Sequence, residues 1–574
     1  MKRERLVVIA GWTPRVLSEY SSPPLATGVL TSYLRVHPDL PAGTRVEAAE
    51  FCSLDSDEEV IQHLEAMRPW LIGWSCYVWN IKRVVGVLPR IRRALPSCRL
   101  VLGGPQVSDS GLARYLMGAE PAIDAVVLGE GEERLAKYIR HLSTDGRQSP
   151  CTGTLYRRED GTTIEGGHRC EEVDLRTAPS PYLTGTCRPD AGSPVYVNLE
   201  SYRGCPFRCS FCKWGREQVR FRRIEQVSEE LEWALSNPDV VGGFFCDADF
   251  FLNQERSCRL LDLIAELRPD STWYLEGEPT SIDSPVIQRL RKLPKVTVSF
   301  GLQSIDDGVL RRSGRPRDTT EFARGVRRLH QEAPQLGINL GLIYGLPGER
   351  LSGFLDSVSF ALGLAPTSLT LSHLELLPGT EFFRDPADYG IRHTGPPDFC
   401  VTSTTHFGED DFMRADRISA FVRACFNYCF LRETVANLAV RDGVVCGQTA
   451  LAVYLSMLDD LTAREALPPH IPRAVSHDLE QNLERARFHT FFSTAGFCHE
   501  LHSALLRTVR SDAVGYSEAA LSGCEGRVRA IQEFVRSMGR HCTSETDLRE
   551  ARGWPLGETG MPSESLFPRG ARYF

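Results

Sequence analysis

Three cysteines lie close together in the chain: Cys205, Cys209 and Cys212, with the spacing C-x3-C-x2-C. Thiolates are soft ligands that iron–sulfur clusters prefer, and one tight loop can reach three corners of a cubane of four irons and four sulfides. The fourth iron then has no cysteine and is open to another ligand. The apolar run 195–199 predicts a strand that leads into this loop. The spacing therefore predicts a [4Fe-4S] site with one open iron.

Two other interpretations of the cysteine loop stay open on the residues alone. A structural zinc ion would need a fourth cysteine or histidine nearby. The nearest histidines, His168 and His330, are not at zinc-finger spacing. Three unreactive thiols in a protein core are the other alternative. We favour the cluster over both.

The cysteine loop follows the first of six apolar runs that alternate with helical patterns. Strands that alternate with helices predict parallel βα units, whose active-site groups gather at the carboxyl ends of the strands. Asp247, Asp249, Glu276 and Glu278 lie at such ends, and the alternative for each is a cap of the following helix. The six predicted strands are residues 195–199, 243–247, 273–276, 296–300, 338–344 and 369–375.

The first 150 residues show the same alternation, with short β-rich runs that end in glycine or serine. This pattern predicts a doubly wound parallel sheet, which binds ligands at the carboxyl ends of its strands. Glycine at such turns is often only geometric, so the glycine-rich loops are weak evidence by themselves. The predicted strands are residues 6–10, 71–75, 99–102 and 125–128.

The cysteine loop, with Phe211 before its last cysteine, resembles the cluster loop of the radical S-adenosylmethionine (SAM) enzymes. In that superfamily the open iron usually chelates SAM, and the aromatic residue packs near the adenine. The resemblance extends to the later strands and implies a partial (β/α)6 barrel. It assigns the ribose and amino-acid side of SAM to Gln303 and Ser304, and the adenine side to Gly341, Ile343, Gly345 and Glu349.

The glycine-rich loops of residues 1–150 resemble the cobalamin-binding domain that is fused to many radical SAM enzymes. Mutase cobalamin domains carry D-x-H-x-x-G after the first strand, but residues 10–15 read Ala-Gly-Trp-Thr-Pro-Arg, without histidine. We therefore expect base-off cobalamin that has no histidine ligand. The residues that the resemblance assigns to cobalamin are Trp12, Ser75, Tyr77, Trp79, Asn80, Gly103, Gly104, Gly129 and Glu130, with packing as the alternative for the two tryptophans.

Composition and length limit the remaining possibilities. At 574 residues, with 42% hydrophobic and 24% charged residues, the chain is expected to form several globular domains. Its net charge of −8 argues against a nucleic-acid groove. No apolar run reaches the roughly 18 residues of a membrane span, so a cytoplasmic protein is expected. The predicted domains are 1–150 (cobalamin-binding, Rossmann-like), 151–190 (linker with a small hairpin), 191–400 (barrel) and 401–574 (helical cap over the substrate).

The combined resemblance implies a C-methyltransferase of natural-product and antibiotic biosynthesis. Cob(I)alamin would take a methyl group from SAM, form methylcobalamin, and pass the methyl to an unactivated or aromatic carbon of a small metabolite, for which a tryptophan-like molecule is one candidate. Most relatives also cleave a second SAM to a 5′-deoxyadenosyl radical, whereas the tryptophan 2-C-methyltransferase of thiopeptide biosynthesis does not. The carboxylates Glu276 and Glu278 keep that variant open, because either could occupy the open iron; hydrogen bonding to SAM is their other role.

The sequence also suggests an alternative function and a set of binding partners. A non-methylating cobalamin enzyme, which performs ring contraction, cyclisation or oxidation, is the main alternative. A cobalamin- or cluster-based sensor is disfavoured, because a sensor does not need the SAM motif of residues 341–349. The expected partners are the small-molecule substrate and an electron donor such as flavodoxin or ferredoxin, with neither nucleic acid nor membrane. The protein is expected to be a monomer.

Overall fold

The computed structural model describes residues 5–13, 22–52, 55–144, 151–167, 172–188, 192, 194–214, 218–428, 431–441, 444–467, 501 and 503–509. The chain divides into two compact units. The first comprises the described residues up to Leu275 and the segment Glu375–Thr402. The second comprises Glu276–Leu374 and the described residues from Ser403 onward.

The first unit begins with a seven-stranded sheet in the order β2-β1-β3-β4-β5-β6-β7. Strands β1 to β5 are parallel, and β6 and β7 continue the sheet as an antiparallel hairpin. The strand order 2-1-3-4-5 is that of a doubly wound fold, as the sequence predicts. The elements are β1 (Arg5–Thr13), α1 (Leu25–Val36), β2 (Thr44–Cys52), α2 (Asp57–Met67), β3 (Leu71–Ser75), α3 (Ile81–Ala94), β4 (Arg99–Gly103), α4 (Ser110–Ala119), β5 (Ala125–Val127), α5 (Gly131–Ser143), β6 (Thr154–Arg157) and β7 (Thr163–Glu165).

This sheet differs from the prediction at two places. Strand β2 and helix α2 were not predicted, although β2 pairs with β1 along nine residues. The hairpin that was predicted in the linker instead extends the first sheet, because β6 pairs with β5. The first sheet therefore reaches Glu165 rather than residue 150.

Three parallel strands of the first unit follow, in the order β12-β11-β8. A separate antiparallel pair, β9 and β10, flanks the cysteine loop. Val197, Phe245 and Trp273 are fully buried on one face of the three strands. The elements are β8 (Val195–Leu199), β9 (Tyr202–Arg203), β10 (Arg220–Phe221), α6 (Ile224–Ser236), β11 (Val240–Phe245), α7 (Gln254–Leu267) and β12 (Thr272–Gly277).

The second unit holds three further parallel strands in the order β15-β14-β13. Val298, Phe300 and Leu340 are fully buried on one face of these strands. All six strands predicted for the barrel are therefore present. The elements are α8 (Ser284–Leu290), β13 (Val296–Gln303), α9 (Asp307–Arg312), α10 (Thr319–Glu332), β14 (Gly337–Tyr344), α11 (Leu351–Gly363) and β15 (Ser368–His373).

The segment after β15 belongs to the first unit, and the helical region after it belongs to the second. The elements are α12 (Glu381–Arg384), β16 (Arg392–His393), β17 (Val401–Ser403), α13 (Glu409–Arg423), a π-helix (Ala424–Tyr428), α14 (Arg432–Leu438), β18 (Val440–Arg441), β19 (Val444–Val445) and α15 (Gly447–Ala463). The amphipathic pattern of this region predicts helices at 414–433, 447–458, 477–494, 497–510 and 528–537. Residues 447–458 are helical, 414–433 is covered by α13, the π-helix and the start of α14 apart from 429–431, and 501 and 503–509 are helical within 497–510. The ranges 477–494 and 528–537 lie outside the described residues, and the short pair β18–β19 was not predicted. In the described part of the chain, no helix has the length and apolar character needed to cross a membrane.

Candidate active site

The cysteine loop lies between β9 and β10 in the first unit. Cys209 is 6% exposed, and Cys205 and Cys212 are partly exposed. The Cys212 N–H donates to the Cys209 carbonyl at 3.1 Å, which forms a tight turn. The carbonyl of Ser210, within this turn, accepts the N–H of Phe382 from α12 at 3.1 Å. The loop is therefore fixed by its own turn and by the segment that follows β15.

Asp247 holds the entrance to the cysteine loop. Its carboxylate accepts the Ser201 N–H at 2.8 Å and the Ser201 hydroxyl at 2.5 Å. Burial raises the Asp247 pKa to about 7, although these hydrogen bonds favour the ionised form. The Asp249 carboxylate instead accepts the Phe251 N–H at 3.0 Å. Both aspartates brace backbone at the strand end, which is the structural role that the sequence left open for them.

The donor set of the cysteine loop fits an iron–sulfur cubane better than a single zinc ion. Among the described residues, no three His, Cys, Asp or Glu side chains converge on one metal position. A zinc site would require such convergence, because one ion takes four ligands. A cubane needs only one thiolate at each of three corners, which a spread loop can supply. The zinc alternative therefore finds no support in the described part of the chain.

The carboxyl end of the first sheet forms a cradle of small residues. Ser75 and Gly103 pair in register at the ends of β3 and β4. Gly104 follows with φ 100° and ψ 174°, a backbone conformation that is essentially restricted to glycine. A Cβ at Gly104 would lie 2.6 Å from the Cys76 carbonyl oxygen. Small residues thus end β3 and β4, and Gly104 lets the turn after β4 pack against the Cys76 backbone. Residues of this size would let a large flat ligand such as a corrin approach the strand ends.

Two aromatic rings lie beside this cradle. Tyr77 and Trp79 stack with ring centroids 4.3 Å apart and planes 7° from parallel, and both are partly exposed. Asn80 is fully buried; its amide nitrogen donates to the Ser75 and Trp12 carbonyls, and its oxygen accepts the Tyr77 N–H at 2.8 Å. Tyr77 and Trp79 thus present partly exposed rings beside the strand ends, and Asn80 holds the loop that carries them.

Two residues assigned to cobalamin have other contacts in the structure. Trp12 is 1% exposed; it stacks on Trp74, and its Nε1–H donates to the Cys52 carbonyl at 2.7 Å. The packing alternative therefore holds for Trp12. The Glu130 carboxylate forms ion pairs with Arg203 and Arg220, so it serves a different role from the predicted one. The neighbouring Gly129 has φ 74°, which lets the chain turn into α5.

The histidines described in the first sheet and its helices lie away from the strand ends. His37 ends α1 and is 3.5 Å from Glu133, and His63 lies in α2 against the ring of Phe51. His141 is buried in α5 against Tyr156. The predicted loop after β1 continues into residues 14–21, which lie outside the described residues.

The SAM motif of the sequence lies on one face of the second unit's strands. Gly301 of β13 pairs in register with Gly341 of β14, and two residues along each strand are Gln303 and Ile343. All four residues are partly exposed. A Cβ at Gly341 would have only ordinary contacts, at 3.8 Å from the Gly301 Cα. Gly341 therefore leaves room for a planar group against the backbone, as adenine would need, whereas the Gln303 amide lies over Gly301.

Glu349 braces the turn after β14. Its carboxylate accepts the Ser304 hydroxyl at 3.2 Å and the Gly345 N–H at 3.0 Å, and Glu349 is 2% exposed. Burial raises its pKa to about 8, against the opposing effect of these hydrogen bonds. Gly345 has φ 83° in the same turn. Ser304 is fully buried, so Ser304 and Glu349 support the SAM motif from the buried side of the turn.

Glu276 and Glu278 differ sharply, although the sequence paired them. Glu278 meets Arg317 Nη2 at 2.9 Å and also pairs with Arg315. Its carboxylate is thus held by two arginines, and its catalytic role stays a prediction. Burial alone raises the Glu276 pKa to about 7, and none of the described residues forms a hydrogen bond or ion pair with its carboxylate. Of the two, only Glu276 has a carboxylate available for chemistry.

Sequence reasoning missed the arginines that surround the cysteine loop. Arg203 of β9 and Arg220 of β10 lie opposite each other and both reach Glu130. The only sequence signal was their position in short β-rich pairs on either side of the three cysteines. The partners lie about 70–90 residues away, so the sequence could not identify them.

Two family models match separate parts of the chain. Residues 199–361 match the radical SAM superfamily, and residues 33–139 match the B12 binding domain. The curated cobalamin-dependent radical SAM methyltransferase TokK from Streptomyces tokunonensis is 28% identical over 370 residues. This match covers 60% of the chain and 52% of TokK, so the chain spans about half the length of that relative.

Two solved structures resemble this chain in fold. The radical SAM methyltransferase TsrM from Kitasatospora setae, with cobalamin and a [4Fe-4S] cluster bound, has 20% identity and a TM-score of 0.54, covering 69% of this chain and 78% of TsrM. The cobalamin-dependent SAM radical enzyme OxsB has 16% identity and a TM-score of 0.59, covering 91% of this chain and 83% of OxsB. These matches confirm the predicted mixed α/β fold with parallel sheets. The two matched domains imply a [4Fe-4S] cluster, SAM and cobalamin. The chain therefore carries a B12-binding domain at residues 33–139 and a radical SAM domain at residues 199–361, as the sequence predicted.

Proposed function

We propose that this protein is a cobalamin-dependent radical SAM C-methyltransferase that acts on a small metabolite. The supporting observation is that one compact unit combines the open cradle at the end of the first sheet with the three-cysteine loop. When bound, cobalamin would supply a methyl carrier, the cluster a one-electron reductant, and SAM the methyl group. TokK and TsrM carry names that describe methyltransferases, which favours methyl transfer over the non-methylating alternative.

The cysteine loop and the cradle are proposed to hold the two metal centres. Cys205, Cys209 and Cys212 bind three irons, and the turn at Ser210 keeps their spacing fixed. Tyr77 and Trp79 contact one face of the corrin, and Ser75, Gly103 and Gly104 let its side chains approach the backbone. Because the described histidines near the first sheet lie away from its strand ends, cobalamin would be held base-off, without a histidine ligand.

The second unit is proposed to seat SAM. Gly341 and Ile343 lie along the adenine, and Gln303 contacts the ribose and amino-acid side. Ser304 and Glu349 fix the turn at Gly345 rather than touch SAM directly. For Phe211, the family resemblance implies a place near the adenine, and we keep this as a proposal.

Glu276 is proposed to act on the open iron or on the SAM ammonium. Its carboxylate has no competing partner among the described residues, in contrast to that of Glu278. A carboxylate is a hard ligand that an iron can accept, and occupation of the open iron would keep SAM from chelating there. Such an enzyme would transfer methyl groups without a 5′-deoxyadenosyl radical.

We propose an aromatic substrate because of the residues on one face of β8, β11 and β12. Asn198, Phe244 and Tyr274 form one register row, and all three are partly exposed. The Phe244 and Tyr274 rings are 5.7 Å apart. Aromatic rings favour offset or edge contacts with another ring, and an amide can orient a polar group beside it. Tryptophan and its derivatives are therefore the first substrates to test.

The test is anaerobic turnover with SAM that carries a deuterated methyl group, over a panel of aromatic amino acids and small metabolites. The proposal expects a product that carries one CD3 group, identified by mass spectrometry. A product with an unchanged carbon count would instead establish the non-methylating alternative. Counting 5′-deoxyadenosine separates the two methylation routes, because the radical route forms about one per turnover. If Glu276 occupies the open iron, we expect far less than one 5′-deoxyadenosine per turnover.

A further inference from the structure

Arg203 is the centre of an ion-pair group that lies two residues before the cysteine loop. Its Nη1 is 3.3 Å from Glu130, its Nη2 is 2.8 Å from Glu132, and its Nε is 3.0 Å from Glu200. The guanidinium side chain is 18% exposed, and the Glu132 side chain is 5% exposed. Each of the three guanidinium nitrogens thus lies close to a different carboxylate.

The carboxylates around Arg203 come from two different parts of the first unit. Glu130 and Glu132 lie at the start of α5, directly after the last parallel strand of the B12-binding sheet. Glu200 follows β8, on the side of the cysteine loop. Glu130 is also shared with Arg220, which lies opposite Arg203 in the β9–β10 pair and donates to the Val173 carbonyl at 3.0 Å. Arg203 therefore joins the end of the first sheet to the strand pair that holds the cysteines.

We propose that Arg203 is a positioning residue that fixes the B12-binding sheet to the cysteine loop, and so sets the placement of cobalamin relative to the cluster. The inference rests on the proposed function for the identity of the two centres. Arginine suits this task because its planar fork holds several carboxylates in fixed directions. Tyr77, which we place against the corrin, lies within electrostatic reach of Arg203 and Glu200.

The burial of this group argues for a positioning role. Surface ion pairs contribute little, whereas the loss of one partner of a buried pair leaves an uncompensated charge. Without Arg203, Glu132 would remain buried next to Glu130 and Glu200, and the like charges would push the α5 loop away from β9. A local cap of the β9 turn is the simpler alternative. It would involve only Glu200, which is three residues away in the sequence.

The test uses Arg203→Gln, Arg203→Lys and Glu132→Gln in the full chain reconstituted with cluster and hydroxocobalamin. The matched control is Arg259→Gln, because Arg259 pairs with Glu225 on the exposed surface of the same unit. Hydrogen exchange is followed in peptides that cover residues 128–135 and 200–205, and cobalamin release is followed by its visible absorption after dilution. Iron content is measured for every variant.

We expect Arg203→Gln to raise exchange in both peptides and to speed cobalamin release by about tenfold or more. Arg203→Lys should give an intermediate effect because it keeps the charge but loses the fork. If Arg203→Gln fails to fold, Glu132→Gln should still raise exchange in both peptides. Faster exchange confined to residues 200–205, with unchanged cobalamin release, would overturn the proposal in favour of a local cap. If the parent protein binds no cobalamin, the proposed function is wrong. Faster hydrogen exchange in both peptides of Arg203→Gln would still show that Arg203 joins the start of α5 to β9.

Discussion

At the scale of single residues, the proposed function depends on the ligands of the two metal centres. The sequence after β1 lacks the histidine of the mutase motif, and the described histidines of the first sheet's helices are held by Glu133, Phe51 and Tyr156. We predict that the EPR spectrum of the cob(II)alamin form shows no superhyperfine splitting from an axial nitrogen. A clear nitrogen triplet on each cobalt line would contradict this prediction.

Replacement by glutamine is expected to affect stability at Glu278 and turnover at Glu276. Glu278→Gln should lower the free energy of unfolding by about 3 kcal/mol, because it removes the carboxylate charge that pairs with both Arg315 and Arg317 in a largely buried position. Glu276→Gln should leave stability close to that of the parent and lower turnover by about 100-fold or more. Denaturant unfolding and product formation measure the two effects. Equal stability losses in both variants would show that Glu276 is also a structural residue.

The sequence alone could not separate these two carboxylates. Glu276 is the last residue but one of β12 and Glu278 follows the strand directly, so both lie at the same strand end beside Gly277. The difference arises from Arg315 and Arg317, which lie about 40 residues further along the chain. The cysteines, by contrast, could be identified from the sequence because all three ligands lie in one loop.

At the scale of elements, the glycine turn after β4 is the most demanding part of the cobalamin cradle. Gly104→Ala should lower stability by about 3 kcal/mol and weaken cobalamin binding, because the backbone conformation excludes a Cβ. Gly118→Ala is the matched control: Gly118 is exposed in α4, and its added Cβ meets nothing within 4 Å. This control should be stabilised by about 0.5–1 kcal/mol. Thermal unfolding and cobalamin titration test both variants, and a neutral Gly104→Ala would refute the assigned turn.

Most strands could be predicted because they read as short apolar or alternating runs, buried on both faces in β3 and β5 and on one face in β8, β13 and β15. Strands β3, β4 and β8 appear within one residue of their predicted ends. The missed strand, β2, lies at the edge of the sheet, where one side faces solvent and charges are tolerated. Its sequence Thr-Arg-Val-Glu-Ala-Ala-Glu-Phe-Cys therefore carries no continuous apolar run.

At the scale of the whole molecule, stability should depend on pH through Glu349. A carboxyl group with a pKa raised to about 8 in the folded state binds its proton more tightly there than in the unfolded chain. Its stabilising contribution is full below the unfolded value of 4.5 and is lost as pH rises through 8. Relative to Glu349→Gln, the parent Tm should fall between pH 5 and 8 by about 2 °C or more. The exposed control Glu58→Gln should follow the parent, and parallel curves for parent and Glu349→Gln would contradict the prediction.

The arrangement of the parts was harder to foresee than the parts themselves. The sequence identified two sets of βα units and one cysteine loop, but not what joins them. Arg203, Glu130 and Glu132 perform that task within the first unit through contacts about 70 residues apart. The segment after β15 also returns to the first unit, where Phe382 contacts the cysteine loop. Such long-range contacts depend on the folded chain and leave no local pattern.

Metal analysis tests the central claim most directly, because the account requires two different metal centres in one chain. Anaerobically reconstituted protein should contain about four irons and one cobalt per chain, the iron as a [4Fe-4S] cluster by Mössbauer spectroscopy. Replacing Cys205, Cys209 and Cys212 together by alanine should remove the iron and leave the cobalt, whereas Cys258→Ala should keep both. Parent protein without cobalt, or full iron content in the triple variant, would contradict the account.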